Sequence, residues 1–493
     1  MKILVKPHVC LGQMWVDDRE YAVWRDSLNF VHPNPNPQQA MNPYWDGKVN
    51  LFLDANKQMF PTGLFPHVMN FLTSRGVFPQ VEYLAPIEKR LVKIDPNICD
   101  GITLREYQVK AIEAALAAGR GLITAPPRSG KTLMQAALAK TLGLPSVIFV
   151  EKQGLLDQHV ENLRKWGLDP GIMQGSTRQT DKLHTVAMLQ TVWQNLSKKE
   201  VSEWLTRIKV LQCDECHHGS SGETYYRTLL HCPAPWRFGY SGTPFSIMDV
   251  ETNKFNEDSW RLVGAFGRPI YNVTTEKLRE LGLMVGVDII QIRRTEPDIR
   301  EIDGNDWHKV YRAGVVECIS RNSMVVSVAK KLVAKEYRPL VLVKMVEHGN
   351  TLFDMMQAEG LAPIFAKGGK TIRECTGSSS TWGSGSIGDA YQKIKAGHGN
   401  ILIATQIADE GVDFPSVDSL ILVVGGKGDQ VTTQRIFRPL TSVQGKSKAI
   451  VIDFDDQTHG VLKKQSGMRR RLYKVLGFDP RVVSLNNALG EID

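Results

Sequence analysis

No apolar run in the sequence approaches the roughly 18 to 20 residues that cross a bilayer as a helix, so no membrane-spanning helix and no membrane partner are expected. The first ten residues, MKILVKPHVC, set a lysine inside a very short apolar stretch. They lack the apolar core and cleavage site of a signal peptide. Cysteine is scarce: seven residues, at positions 10, 99, 213, 216, 232, 318 and 375, an odd number without a disulfide framework. A reducing, cytoplasmic setting is therefore expected. Acid is in deficit, with 52 Asp and Glu against 60 Lys and Arg and a formal net charge of +8. That balance favours a polyanionic partner without requiring one. Heptads and short repeats are also missing.

What is present suits a globular enzyme. The chain has 493 residues, 42% hydrophobic and 23% charged, enough for two to four domains. Residues 1 to about 95 are rich in Pro, Asn and Trp, and VHPNPNPQQAMNPYWDGKVNLFL suggests loops leading into a strand or hairpin. From Leu104 onward, helical patterns such as YQVKAIEAALAAG alternate with the short apolar strands GLITA, SVIFV, HTVAML, KVLQCD and RFGYS. That alternation predicts a parallel sheet covered by helices. A charged, irregular stretch over roughly 247–300 reads as an interdomain connection. A second α/β series follows with RPLVLVK, APIFA, NILIAT, SLILVV and KAIVIDF. Between two of these strands, the Gly/Ser-rich KGGKTIRECTGSSSTWGSGSIGD reads as a mobile loop. The expected division is an accessory, DNA-binding module over 1–97 and two α/β domains over 98–285 and 286–493, the last with a basic tail.

GLITAPPRSGKT is a strand, a turn and the start of a helix. Backbone N–H groups at such a helix N-terminus favour phosphate; Pro127, Arg128, Ser129 and Gly130 would line the turn, Lys131 would reach the β/γ-phosphates and Thr132 would ligate Mg²⁺. Ala125 stands where the strict phosphate-loop pattern has its first Gly, a small residue that still permits close approach. IKVLQCDE is an apolar strand ending in two acids, at the sheet edge where open α/β folds bind ligands. Asp214 is suited to hold Mg²⁺ through water, and Glu215 to orient and deprotonate the attacking water. The same stretch offers Cys213, Cys216, His217 and His218, with His231 and Cys232 nearby, as a zinc set. Pairing Cys213 with Cys216 would bend the strand where it must deliver Asp214, so the nucleotide reading is preferred, with Cys213 pointing into the core. GYSGTPF, after another apolar segment, is a weak turn motif alone.

In order, LREYQ, APPRSGKT, VIFVEKQGLLDQ, VAMLQTV, DECH, SGTPF, LVLVK, ILIATQIADEGVDFPSVDSLIL and QRIFR resemble the motif series of superfamily 2 helicases over residues about 100 to 455. Within that superfamily the chain resembles the UvsW-type phage branch-migration helicases, through AFGRPIYNVTTEKLRELG, YWDGKVNLF…FPTGLF and VIDFDDQTHGVLKKQSGMRRRLYK. The resemblance implies two tandem RecA-like domains, with the nucleotide between them, after a small α+β module. It implies ATP and Mg²⁺ as cofactors, and host-cell cytoplasm if the chain is phage-encoded. Gln108, with Arg105, would recognise adenine or support the nucleotide loop. His217, Ser241 and Thr243 would couple hydrolysis to domain movement. Gln190, Thr191 and Thr405 would meet the nucleic-acid backbone, Gly411 and Asp413 would approach the nucleotide, and Gln434 and Arg438 would complete the site, Arg438 as an arginine finger.

The chain departs from the family's Q-x-x-G-R-x-x-R pattern at Phe437, Pro439 and Thr441. Either one arginine suffices, or turnover is slow or depends on nucleic acid. The basic tail, Lys463, Lys464, Arg469, Arg470, Arg471 and Lys474, fits phosphate binding and a solvated helix face equally well. Tyr44, Trp45 and Phe52 fit core packing better than base stacking. The expected function is an ATP-dependent DNA helicase acting on forks and branched junctions in recombination or replication repair, with no obligate protein partner. The alternatives are a duplex translocase without unwinding and an ATP-gated nucleic-acid clamp with weak turnover.

Overall fold

The computed structural model describes residues 1–13, 17–31, 46–54, 58–85, 92–217, 223–245, 255–304, 306–368, 371–376, 379–405, 417–426 and 448–492. The chain forms two compact units, Met1–Val273 and Thr274–Asp493. The division precedes the 285/286 position read from the sequence because the helix Thr275–Glu280 is tied to the second unit. The Thr275 hydroxyl donates to the Leu476 carbonyl at 2.6 Å, and Arg279 donates to the Gly477 carbonyl.

The first unit starts with a four-stranded sheet in which Lys2–Val5 lies between Val9–Gln13, antiparallel, and Gln80–Tyr83, parallel. The helix Asp18–Asp26 begins where the Asp17 carboxylate accepts the Glu20 N–H at 2.8 Å, an N-cap that satisfies an otherwise orphaned donor. This helix buries Trp24 against Phe52 and Phe60, with ring centroids at 5.6 and 5.4 Å. Phe52 is thus a core residue; Tyr44 and Trp45 lie outside the described residues. The module's apolar face closes on the rest of the unit, since Val263 joins its core and Phe30 stacks on Trp260 at 4.4 Å.

The main sheet of this unit has the order 177–178, 171–174, 184–188, 146–150, 210–213, 236–241, 120–124, 269–272, parallel except for the first pair. Its central strands are buried along their whole length, as expected of parallel strands covered on both faces. The second unit carries a nine-stranded sheet in the order 379–384, 371–376, 363–367, 401–404, 339–342, 419–422, 448–456, 286–294, 481–483. It is parallel except where 371–376 pairs antiparallel on either side. Each strand read from the two apolar series is present. Among the described residues, no helix is long and apolar enough to cross a membrane.

Two expectations need correction. The stretch 247–300 is not merely a connection: Glu257–Phe266 is a helix, Pro269–Asn272 is the outer strand of the first unit's sheet, and Gly286–Arg294 is a strand inside the second unit's sheet. Its charge hid it, because Arg294, 2% exposed, reads as a surface residue until Asp456 is seen 2.7 Å away. The Gly/Ser-rich segment contains a hairpin rather than only a loop, with Thr371–Thr376 paired to Ser379–Ser384 over six residues. Ile372 anchors it by being buried, and the close approach at Gly385, where a Cβ would stand 2.8 Å from Ile372, favours a residue without a side chain.

The basic tail is the helix Gly460–Val475, and it divides between both readings offered for it. Arg469 is buried and donates to both carboxylate oxygens of Asp453, as well as to the Gly426 and Phe454 carbonyls. Arg470 pairs with Asp455 and donates to Gln291 at 2.8 Å. These two arginines hold the helix to the central strand Lys448–Asp456, whereas Lys463, Lys464 and Lys474 remain exposed. Replacing Arg469 with Met leaves the buried Asp453 carboxylate with neutral donors, the Tyr473 hydroxyl, the Gln291 amide and the Phe454 N–H, in place of its guanidinium. We expect about 3–5 kcal/mol less stability in the second unit, the usual cost of breaking a buried pair from one side. Urea unfolding measures it, and an unchanged midpoint would show that the pair carries no structural weight.

Candidate nucleotide site

The strand Arg120–Thr124 delivers the chain to a turn, Ala125–Gly130, and the helix Lys131–Leu142 starts directly after it. Gly130 caps that helix with φ 77°, a left-handed conformation, and Arg128 has φ 74°. A Cβ at Gly130 would lie 2.5 Å from the Gln108 amide nitrogen, so both the φ and the contact call for glycine. Gln108 is fully buried, and both ends of its amide are engaged. Its oxygen accepts the Arg105 N–H at 2.9 Å, and its nitrogen donates to the Ser129 carbonyl at 3.0 Å. The Tyr107 hydroxyl donates to the same carbonyl at 2.8 Å. Gln108 therefore supports the loop in this conformation, which favours that half of the expectation over adenine recognition. The Arg105 side chain is exposed.

Lys131 meets Glu215 at 3.0 Å. Burial would depress the ammonium's pKa, but Glu215 and Asp214 overcome it and hold Lys131 above its ordinary value. Asp214 follows the buried strand Val210–Cys213 and is 8% exposed. Burial pushes its carboxyl up, His159 opposes the shift and Glu215 adds to it. Glu215 adopts φ 41°, a strained conformation for a non-glycine residue. Its other oxygen is 3.6 Å from His217 Nδ1, and that nitrogen is 2.8 Å from Ser241 Oγ. Ser241 Oγ in turn accepts the Thr243 N–H at 3.1 Å, while the Ser241 carbonyl accepts the Ala125 N–H at 2.9 Å. The phosphate-type loop, the two acids and the SGT turn are thus joined by a continuous set of polar contacts.

Sequence reasoning missed two side chains in this set. Gln135, one helical turn beyond Lys131, has its amide nitrogen 3.5 Å from Asp214 Oδ1. His159, on the helix Gln153–Lys165, places Nε2 3.1 Å from Gln135 Oε1 and 3.5 Å from Asp214 Oδ2, with Nδ1 2.8 Å from the Leu155 carbonyl. A glutamine inside the otherwise apolar LMQAALA face was the available signal for the first. For the second there was none, because His159 reaches Asp214 across two elements.

The residues fit a magnesium nucleotide. Ser129 Oγ is buried in the loop without a hydrogen-bond partner among the described residues, the loop precedes a helix N-terminus, and two adjacent carboxylates stand beside the lysine. The alternative zinc set is dispersed by packing. Cys213, Cys216 and Cys232 lie in the core of the unit, and burial raises each thiol's pKa. His231 Nδ1 faces the Arg227 carbonyl, and His218 lies outside the described residues.

Other expected residues are more scattered. The Thr191 hydroxyl accepts the Gly175 N–H at 3.2 Å, and Gln190 is exposed. Thr405, at the end of the strand Ile401–Ala404, is 5% exposed and its hydroxyl has no hydrogen-bond partner among the described residues. Gly411, Asp413, Gln434, Phe437, Arg438, Pro439 and Thr441 lie outside the described residues.

Residues 101–246 match the family described as type III restriction enzyme, res subunit. The chain is 25% identical over 453 residues to the ATP-dependent DNA helicase uvsW of Enterobacteria phage T4, covering 87% of this chain and 84% of that protein. It is 22% identical over 413 residues to the DNA 3'-5' translocase XPB2 of Sulfurisphaera tokodaii, covering 76% and 86%. In fold it is similar to S. cerevisiae Dbp5 bound to RNA and ADP BeF3, with a TM-score of 0.51, 14% identity and coverage of 80% of this chain and 93% of the other. The matched family and the two sequence relatives support an ATP-dependent DNA helicase-type ATPase, similar to the UvsW-type phage helicases, on a fold like that of Dbp5.

Proposed function

We propose that the chain couples ATP hydrolysis to movement on DNA and remodels forked and branched duplexes, as a helicase of recombination or replication repair. The observation that carries this reading is the contact series Lys131, Glu215, His217, Ser241, which ties the phosphate-binding loop to the SGT turn. A change at the γ-phosphate then has a physical route out of the site. Lys131 leaves Glu215 to meet the terminal phosphates, and the freed carboxylate orients and deprotonates the attacking water. Release of Glu215 changes what His217 faces, and His217 passes the change to Ser241. Thr132, and Asp214 through water, would hold Mg²⁺, which would supply charge neutralisation at the phosphate oxygens. Gln135 and His159 keep the Asp214 carboxylate oriented. Gly411, Asp413, Gln434 and Arg438 contribute from the second unit, with Arg438 supplying charge to the transition state.

Contacts to DNA run mainly through the phosphate backbone, so sequence preference is slight. The test is ATPase and strand separation measured side by side on single-stranded DNA, forks, four-way junctions and RNA duplexes. DNA should stimulate turnover at least roughly tenfold, and forks or junctions should be opened; the size is that of charge and geometry completed at the reacting centre when DNA binds. Triplex displacement without fork opening would instead select a duplex translocase, in keeping with the translocase relative. Negligible ATPase with every nucleic acid would select an ATP-gated clamp.

A further inference from the structure

The hairpin Thr371–Thr376/Ser379–Ser384 places one large aromatic on an otherwise small and polar edge of the second unit's sheet. Trp382 is 43% exposed on the terminal strand of that sheet. The strand pairing sets Trp382, Arg373, Phe365 and Ile403 in one row across four strands, and neighbours in such a row point to the same face. One step nearer the C-terminal edge lie Lys367 and Thr405, on adjacent strands and on that same face. The Lys367 ammonium stands over the Trp382 ring, 4.3 Å from its centroid, and Phe365 supports the indole at 6.0 Å in an edge-on arrangement. The buried hydroxyl of Thr405, without a hydrogen-bond partner among the described residues, is therefore about three strand spacings, roughly 14 Å, from the strand that carries the indole.

The hairpin is held stiffly. Arg373 donates to Ser380 Oγ, Asn350 Oδ1 and Asp354 Oδ1 and lies over the Phe353 ring. Gln357 donates to the Ser379 carbonyl at 2.8 Å, and Lys393 pairs with Glu374. A rigid, half-exposed indole beside a cation has the chemistry of a base-stacking contact flanked by a phosphate contact. Core packing does not account for it, since the fully buried Phe365 already fills the interior position of that row.

We propose that Trp382 and Lys367 form a stacking platform for single-stranded nucleic acid, on the sheet face that also carries the backbone contact expected at Thr405. The proposal rests on the reading of the chain as a nucleic-acid motor, and it specifies that one strand is engaged through its bases as well as its phosphates. Binding of fluorescein-labelled oligothymidylate to the full chain without ATP tests it, by anisotropy across a salt series. Trp382→Ala should weaken binding about tenfold or more, whereas Trp382→Phe, which keeps a π-face, should stay within about threefold. Lys367→Gln should flatten the salt dependence by about one phosphate contact.

Trp382→Ala binding within about twofold of wild type overturns the proposal, given the usual size of a stacking contact. A Trp382→Phe loss as large as that of Trp382→Ala overturns it too, because the indole would then serve only to hold the hairpin. Wild-type protein that binds duplex but not single strands also overturns it, while leaving a duplex-translocase reading intact. Weakened binding by Trp382→Ala in a protein whose ATPase ignores DNA supports the platform and sinks the motor reading instead.

Discussion

Lys131→Ala should lower DNA-stimulated ATP turnover by roughly a hundred- to a thousandfold, the loss that follows removal of one preorganised charge from a reacting centre. The ammonium has two functions that no neighbour can assume. It is held in place by the helix start at Gly130, and it balances the adjacent carboxylates of Asp214 and Glu215. Alanine removes the phosphate contact and the ammonium that stands 3.0 Å from Glu215. Initial rates with saturating single-stranded DNA measure the effect. Turnover within about tenfold of wild type would mean that another group supplies the charge, and would remove Lys131 from the centre of the reading.

Glu215→Gln should reduce turnover by about a hundred- to ten-thousandfold, the usual contribution of a general base. Its effect on nucleotide binding should have the opposite sign. In the structure Glu215 holds Lys131 at 3.0 Å, so nucleotide has to compete with that carboxylate for the ammonium. Glutamine keeps the size and a hydrogen bond but not the charge, and affinity for ATP should be unchanged or tighter. Single-turnover hydrolysis together with equilibrium binding of a fluorescent ATP analogue separates the two quantities. Weaker nucleotide binding with hydrolysis preserved would contradict both halves of the assignment.

Much of the site was legible because its chemistry is local in sequence. A phosphate-binding turn needs a strand, a few small residues and a helix start in immediate succession, and GLITAPPRSGKT supplies them within twelve letters. The same holds for Asp214 and Glu215, which gain their position by ending an apolar strand. Gln135 was hinted at only by its polarity inside an apolar helix face, and His159 was illegible, because their roles exist only once two helices flank the strand Val210–Cys213. Gln108 was legible as a member of its motif but not in its action; the engagement of both amide ends depends on where the turn at Ser129 comes to lie.

Charge misled in a consistent way. Arg294 and Arg469 sit in segments that read as surface from their letters, yet both are buried against Asp456 and Asp453 on one central strand. Arg237 goes further, since its guanidinium is buried and satisfied by the carbonyls of Ala265, Cys232 and Leu229 rather than by a carboxylate. The partners lie outside the segment that carries each arginine, from five to well over a hundred residues away, so no local pattern announces them. The Gly/Ser-rich segment misled for a related reason: its low apolar content suggested a loop, but its six-residue pairing and the Arg373 contacts hold it in the sheet.

By itself the sequence determined the alternation of strand and helix, the order of the motifs and the acids at a strand end, because apolar periodicity and turn chemistry act over a few neighbouring residues. Tertiary structure alone decided that the basic tail contributes core ion pairs, and that Trp382 and Lys367 meet on the sheet face that also carries Thr405. Those outcomes depend on burial and on contacts between residues far apart in the chain, which come into existence only when the strands pair.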